Sequence, residues 1–469
     1  MEGWAWFYTF CQVLYLTGFF VMIYFLTRKV NWVDPKGVSK LKESDLPQII
    51  MFYPVLKEPY DVMLSTLQDM LRIDYPKKKF RIVAIPNYND LITIQHLEQI
   101  QKDLPKLGLE IMVTPPTSDP SWDIVWEGWK NNPKSYWWHQ GKTKTNTKLP
   151  PKKTRQLIWA FYQICQSIGT NWVLDYVDAD SVTPTNQFLL AAAGFKQRFD
   201  VLQSTNIAGN LDDTWIASCC AADHMQWDGR TYPHMSADGK HPFYVLGKGL
   251  YYRASDLLAL GGFNPWIAIE DPEVGMRYWK NRKRLGIIRS PLVEEVPVTL
   301  KRAIIQRFRW VLGFWQSLNS PLDHMKFTWK EKFLARLNFV PTLFLVVNLI
   351  GLPSGFYALY LYFSGTGTSF LPPWIFGLSL LNSIAYILFL IPQYISMWEQ
   401  TGIVLKSNTR RVSYVLAVNP IFLWIWWALW CIPLIMGTVG FFLDKGKAWE
   451  RTEKIDANHV LVRNNDMMK

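Results

Sequence analysis

Residues 171–181 read N-W-V-L-D-Y-V-D-A-D-S, and how they are read decides the fold. The run 171–177 is short, dense and apolar, the pattern of a strand buried on both faces. Asp178 and Asp180 follow at once, so two carboxylates stand two residues apart where the strand ends. Two similar runs lie upstream, Q-I-I-M-F-Y at 48–53 and R-I-V-A-I at 81–85. Helical periodicity occupies 60–72, 92–104 and 153–168 between them. Strands alternating with helices predict a parallel, doubly wound α/β domain over 46–300, with ligands at the carboxyl ends of the strands.

The flanking segments belong to a different solvent. Of 469 residues only 19% are charged, while 15% are aromatic, including 24 tryptophans, as suits a chain partly in lipid. The apolar run 4–27 is long enough to span a bilayer and is followed by Arg28 and Lys29. It lacks a basic n-region and exceeds an h-region, so 1–29 is expected to be an anchor rather than a cleaved signal. The positive-inside bias then puts residue 28 onward in the cytoplasm. The runs 339–363, 371–397 and 412–443 carry no charge and predict a helical transmembrane region over 337–443, with interfacial helices at 301–336 before it. The uncharged loop 364–370 is expected outside, and the loop 398–411, with Lys406, Arg410 and Arg411, inside. A single span at 412–443 would send the tail 444–469 outside, but its Lys445, Lys447, Arg451 and Lys454 favour the cytosol. Pro420 and Pro433 allow a bent or re-entrant element, and a cytosolic tail is expected.

The net charge of +12 fits an anionic lipid or an anionic substrate. The basic clusters at 77–81, 142–155, 277–289 and 301–309 form no uninterrupted block of the kind that makes a nucleic-acid arm. The five cysteines lack metal-type spacing, and a reducing setting is expected. Residues 115–152 break the α/β rhythm with Trp122, Trp126, Trp129, Trp137 and Trp138. They read as an insertion or lid whose rings either bind sugars or pack on the domain.

Several residues can carry chemistry. On a helix over 303–315, Gln306, Arg309, Trp310 and Gly313 share one face, offering a phosphate clamp, a flat ring for a sugar, and a gap. Asp178 and Asp180 fit a divalent cation bridging a diphosphate, or else a solvated turn that caps a helix. Asp271, after Glu270 and before Pro272, marks a helix start; it is either an N-cap or a carboxylate aimed into the cleft as general base. Lys153 and Arg155 open a helix and can meet phosphate. Gly247-Lys248-Gly249 follows the strand-like 243–246 without the G-K-[ST] of a Walker loop. His224, His234 and His241 lie near Asp223, Asp228 and Asp238; zinc is one reading, satisfied cleft or surface histidines the other.

In order along the chain, these pieces resemble the membrane-bound processive glycosyltransferases of family 2, the cellulose, hyaluronan, chitin and alginate synthases. Residues 52–58, F-Y-P-V-L-K-E, are similar to "P-x-Y-N-E", and Lys153–Leu157 to "K-x-x-x-L". Asp178-Ala-Asp180 resembles D-x-D. The run 246–253 with Gly261-Gly-Phe263 is similar to "G-T-G…R…G-G-F", and Ile269-Glu-Asp271 to "T-E-D". Glu294-Glu-Val-Pro297 leading to Gln306-Arg-Phe-Arg-Trp310 is similar to "E-E-x-P…Q-x-x-R-W", the most specific of these. Leu56, Lys248 and the 85–90 segment I-P-N-Y-N-D depart from the pattern.

The resemblance implies a GT-A-like sheet and inverting transfer of a sugar to a growing polysaccharide, coupled to export across the plasma (inner) membrane. A UDP- or GDP-linked donor would meet Glu58, Asn87, Asp90, Lys153, Asp178, Gln306 and Arg309, with Mg2+ or Mn2+ on Asp178 and Asp180. Asp271, beside Glu270, would be the base. Gly247, Lys248 and Trp310 would meet the acceptor, membrane lipid would surround the spans, and accessory export subunits would fit. Two rivals share these residues: transfer of one sugar to a membrane glycolipid, and a non-catalytic scaffold on the same fold.

Overall fold

The computed structural model describes residues 2–236, 238–243, 245–366 and 372–443. The expected strands form as β1 (Ile49–Pro54), β2 (Phe80–Ile85) and β4 (Val173–Tyr176), with β1 parallel to both neighbours. The strands β3 (Leu109–Ile111), β5 (Val201–Ala208), β6 (Leu250–Arg253) and β7 (Leu285–Glu294) complete a sheet of order β3-β2-β1-β4-β6-β5-β7. Only β6 runs against its neighbours, so the sheet is mostly parallel. In β1, Ile50 and Phe52 enter one core layer and Ile49, Met51 and Tyr53 the other. Burial on both faces is why this strand reads as a continuous apolar run. Helices Tyr60–Asp69, Leu91–Asp103 and Gln187–Lys196 cover one face, and Lys153–Ile168 covers the other.

Two expectations are corrected here and one is resolved. The strand-like 243–246 is irregular at its described residues, and the strand starts at Leu250, after Gly249 turns the chain at φ 59°. The Trp-rich segment is no lid. Trp122, Trp129 and Trp137 are fully buried against Lys153–Ile168, and Trp126 stacks between Trp122 and Trp138 at centroid distances of 5.3 and 5.6 Å. Gly261 and Gly262 (φ 91° and 78°) exist for this packing: a Cβ on the first would meet Ser135 Oγ at 2.3 Å, and one on the second Tyr162 at 3.3 Å.

The 412–443 run is not one span. It divides into an amphipathic helix Asn408–Ala417 and a long apolar helix Pro420–Phe442. Asn419 starts the second by accepting from the N–H groups of Ile421 and Phe422, and Pro420 occupies its first turn. Pro433 lies within that helix without ending it.

Among the described residues, three helices are long and apolar enough to cross a membrane: Ala5–Leu26, Pro373–Val404 and Pro420–Phe442. The helix Val340–Phe363 packs beside them. The domain-side end of the first helix is tied down by Arg28, whose guanidinium pairs with Asp238, and by His241, which bonds Tyr24 Oη at 2.7 Å. His234 bonds the Arg28 carbonyl at 2.7 Å. The second basic loop docks on the α/β domain through Arg410 to Asp212 at 2.8 Å. The tail 444–469 lies outside the described residues.

Candidate active site

The carboxyl ends of β1, β4 and β7 converge on one cavity, which Glu58, Lys153, Asp178, Glu294 and Asp271 line. Because β6 is antiparallel, the Gly247–Gly249 turn that precedes it arrives at the same edge.

Lys153 organises the sheet-side wall. Its Nζ lies 3.2 Å from Asp178 Oδ1, 3.6 Å from Glu270 Oε1 and 3.2 Å from the Gly247 carbonyl, with the Tyr176 ring 5.0 Å below. Burial alone would depress its ammonium, but Asp178, Glu270 and Asp271 outweigh burial and raise its pKa. Lys152, also in the lining, is dominated by burial and pushed down to about 8.

Asp271 opens the helix Asp271–Lys280, with Glu270 at the N-cap position and no capping bond from that side chain. A Cβ on Gly247 would stand 3.5 Å from the Asp271 carboxyl carbon, so the turn runs in ordinary contact distance of that carboxylate. Burial, then the charge of Glu270, holds the Asp271 carboxyl well above the usual carboxylate range, despite Lys153 and Lys248. A buried carboxylate with a raised pKa and open space before it is suited to accept a proton.

The opposite wall is the helix Leu300–Ser317. Gln306, Arg309 and Trp310 all face the cavity. Gly313 is the point of closest approach to the base: a Cβ there would fall 2.2 Å from Ile269 Cγ1, two residues before Asp271. The gap on that helix face is therefore filled by protein. Arg307 faces away into a buried knot. Asp223 Oδ2 accepts from Arg307 Nη2 at 2.6 Å, Trp426 Nε1 at 3.0 Å and Trp430 Nε1 at 2.9 Å.

Not every expected residue reaches the cavity. Asn87 accepts from Arg155 Nη2 at 2.7 Å, and Asp90 caps the helix Leu91–Asp103 while accepting the Lys57 N–H; neither is in the lining. Arg155 thus serves Asn87 rather than the cavity. Asp180 is fully buried and accepts the Glu295 N–H at 2.8 Å, fastening the end of β4 to the end of β7, while Asp178 alone of the pair faces the cavity. Asp180 and Ser181 cap no helix, since Gln187–Lys196 begins after Asn186. Asp223, His224, Asp228 and Tyr232 also line the cavity. Of these, the sequence offers the histidine and aspartates only as a spacing, and nothing in it marks Tyr232 or Arg307.

A family model for glycosyl transferase family group 2 matches residues 172–443. A probable glycosyltransferase of Sulfolobus acidocaldarius is 20% identical over 399 residues, spanning 81% of this chain and 74% of that protein. The solved mannosyltransferase PcManGT from Pyrobaculum calidifontis, in complex with GDP-Man and Mn2+, superposes with a TM-score of 0.52 at 15% identity. That match covers 95% of this chain and 99% of the other and is a likeness in fold, in keeping with the GT-A-like sheet.

Proposed function

The chain belongs to glycosyl transferase family group 2, and from that premise we propose that it moves a sugar, with inversion, from a UDP- or GDP-linked donor to an acceptor hydroxyl at a membrane surface. The observation that carries this is the Asp271 carboxylate, buried against Gly247 and across the cavity from Gln306, Arg309 and Trp310. In this reading Asp271 takes the proton from the acceptor hydroxyl, whose oxygen bonds the anomeric carbon as the bond to the donor diphosphate breaks on the opposite face. Arg309 and Lys153 offset the charge left on the nucleotide. Trp310 stacks on the acceptor sugar. Glu270 and Lys248 set the charge around the base.

Asp178 fits a divalent cation, Mg2+ or Mn2+, because it faces the cavity on a strand end, with Asp180 bracing that end from behind. When bound, the ion supplies positive charge to the diphosphate. The α/β domain is assigned to the cytoplasm: Arg28 and Arg410, which flank spans, both pair with residues of that domain, and basic flanks stay inside.

Polymer export and single transfer to a glycolipid differ in what the membrane helices must do. Export needs a passage between them. Among the described residues the first helix instead closes on its neighbours. Gln12 Nε2 donates to the Gly351 carbonyl at 2.7 Å, Asn382 Nδ2 donates to Gln12 Oε1 at 2.6 Å, and a Cβ on Gly351 would meet the Tyr15 ring at 2.9 Å. This packing favours the glycolipid acceptor. The test is incubation of the purified protein with a panel of nucleotide sugars, Mg2+ or Mn2+, and membrane lipid, followed by product sizing. One added sugar on lipid supports that acceptor, and a ladder of long chains supports export. No transfer from any donor, or transfer undiminished in Asp271→Asn, would overturn the proposal.

A further inference from the structure

The geometry points to a cation site built from His224, Asp228 and Glu294, distinct from the Asp178 carboxylate and selective for a first-row divalent ion. His224 Nδ1 lies 2.8 Å from Asp228 Oδ2 and 3.3 Å from Glu294 Oε1, and one ligand atom from each residue lies within 4.8 Å of the others. The 2.8 Å contact is a hydrogen bond; two ligand atoms about 2.1 Å from one ion, at right angles to each other, stand about 3 Å apart, so a cation can take the place of its proton. The residues are 4%, 8% and 2% exposed, yet all three line the cavity.

An independent observation comes from Glu294. Its Oε1, buried and aimed at the cluster, accepts no hydrogen bond, since the His224 Nδ1 that lies 3.3 Å away bonds Asp228, while Lys248 holds the other oxygen. A buried carboxylate oxygen without a donor is costly unless a cation meets it. Lys248 on the outer oxygen orients the carboxylate without occupying the inner one. The backbone is adapted to the site as well. The helix Trp215–Gln226 passes directly into a π-turn, Trp227–Thr231, and Asp228 comes from that widened turn, a distortion that recurs at functional sites.

The ligand set names the ion class. One imidazole nitrogen with two carboxylates suits Mn2+ or Zn2+, whereas Mg2+ favours oxygen alone. The cluster is built on the helix Trp215–Gln226, the turn that follows it and the end of β7, and it shares no residue with the Asp178–Asp180 pair. The site stands whether or not the chain transfers sugar.

The experiment uses the full chain, purified without a histidine tag in imidazole-free buffer, loaded with Mn2+ and read by electron spin-echo envelope modulation. Modulation from a directly bound imidazole nitrogen is expected in the wild type, lost in His224→Gln and kept in Asp178→Asn. The wild-type spectrum decides even if His224→Gln fails to fold. Bound Mn2+ without nitrogen modulation, no bound Mn2+ at all, modulation that survives in a folded His224→Gln, or loss of all Mn2+ in Asp178→Asn would overturn the assignment. Nitrogen modulation in a protein that transfers no sugar would keep this site and remove only the transfer reading.

Discussion

On the sheet side of the cavity, Asp178 follows the end of β4, Lys153 and Asp271 each open a helix, and the Lys153 ammonium lies 3.2 Å from Asp178. On the membrane side, Asp223 and Arg307 are closed between helices, and Trp310, Trp426 and Trp430 surround the guanidinium at 4.9–5.3 Å. The first wall keeps its polar groups poised and accessible. The second pairs Arg307 with Asp223 and so fixes where Arg309 and Trp310 stand on the same helix. Substitutions of Asp271 should therefore cost activity, and those of Asp223 and Arg307 should cost stability.

The largest effect belongs to the sheet side. Asp271→Asn is expected to lower kcat by about 10²–10⁴-fold, the usual contribution of a positioned base, with the melting temperature nearly unchanged. The pH profile carries the same signature. The base works ionised and its pKa is raised, so kcat/KM should climb with pH through a value well above the ordinary carboxylate range. Lys152, pushed down to about 8, loses its charge above that pH, and an alkaline limb there should disappear in Lys152→Met. A profile flat from acid to neutral pH would sink the assignment of Asp271.

On the membrane side, Asp223→Ala leaves a buried guanidinium without its carboxylate and should cost about 3–5 kcal/mol. Asp178→Asn on the other wall should cost about 1 kcal/mol or less. Thermal unfolding in detergent measures both. Equal losses would mean that the two walls are not built differently.

Gly313 joins the walls. A methyl group there meets Ile269 Cγ1 at 2.2 Å and the Ile269 backbone nitrogen at 3.1 Å, so Gly313→Ala should cost about 1–3 kcal/mol by overpacking. Because Ile269 leads directly to Asp271, kcat should fall as well. Unchanged kcat in a destabilised Gly313→Ala would show that the helix does not set the position of the base.

The strands were legible where burial on both faces makes a dense apolar run, as in 48–53 and 171–177. β5 escaped because V-L-Q-S-T-N-I-A is fully buried yet half polar: Gln203 donates to the Lys248 carbonyl, and Gln187 bonds Ser204. Asp178, Asp271, Arg309 and Trp310 were legible because each stands in a recognisable local pattern. Arg307 was not, since it owes its place to Asp223, 84 residues away, and to tryptophans of a later helix. Sequence spacing also linked His224, His234 and His241 as one cluster. Folding separates them: the latter two fasten the first membrane helix, and only His224 reaches the cavity.

The smallest effect tests how the membrane wall is delivered. Trp426 and Trp430 reach Asp223 only because Pro420–Phe442 starts where it does, and Asn419 sets that start by accepting from Ile421 N–H at 3.0 Å and Phe422 N–H at 3.2 Å. Asn419→Ala removes the cap and should cost about 1 kcal/mol, the usual worth of such a residue. Asn419→Asp keeps an acceptor at the positive end of the helix and should restore that loss. Thermal unfolding of the two variants in detergent gives the comparison. A loss in Asn419→Ala that Asn419→Asp does not recover would mean that packing against Leu300–Ser317, rather than the cap, divides the apolar run.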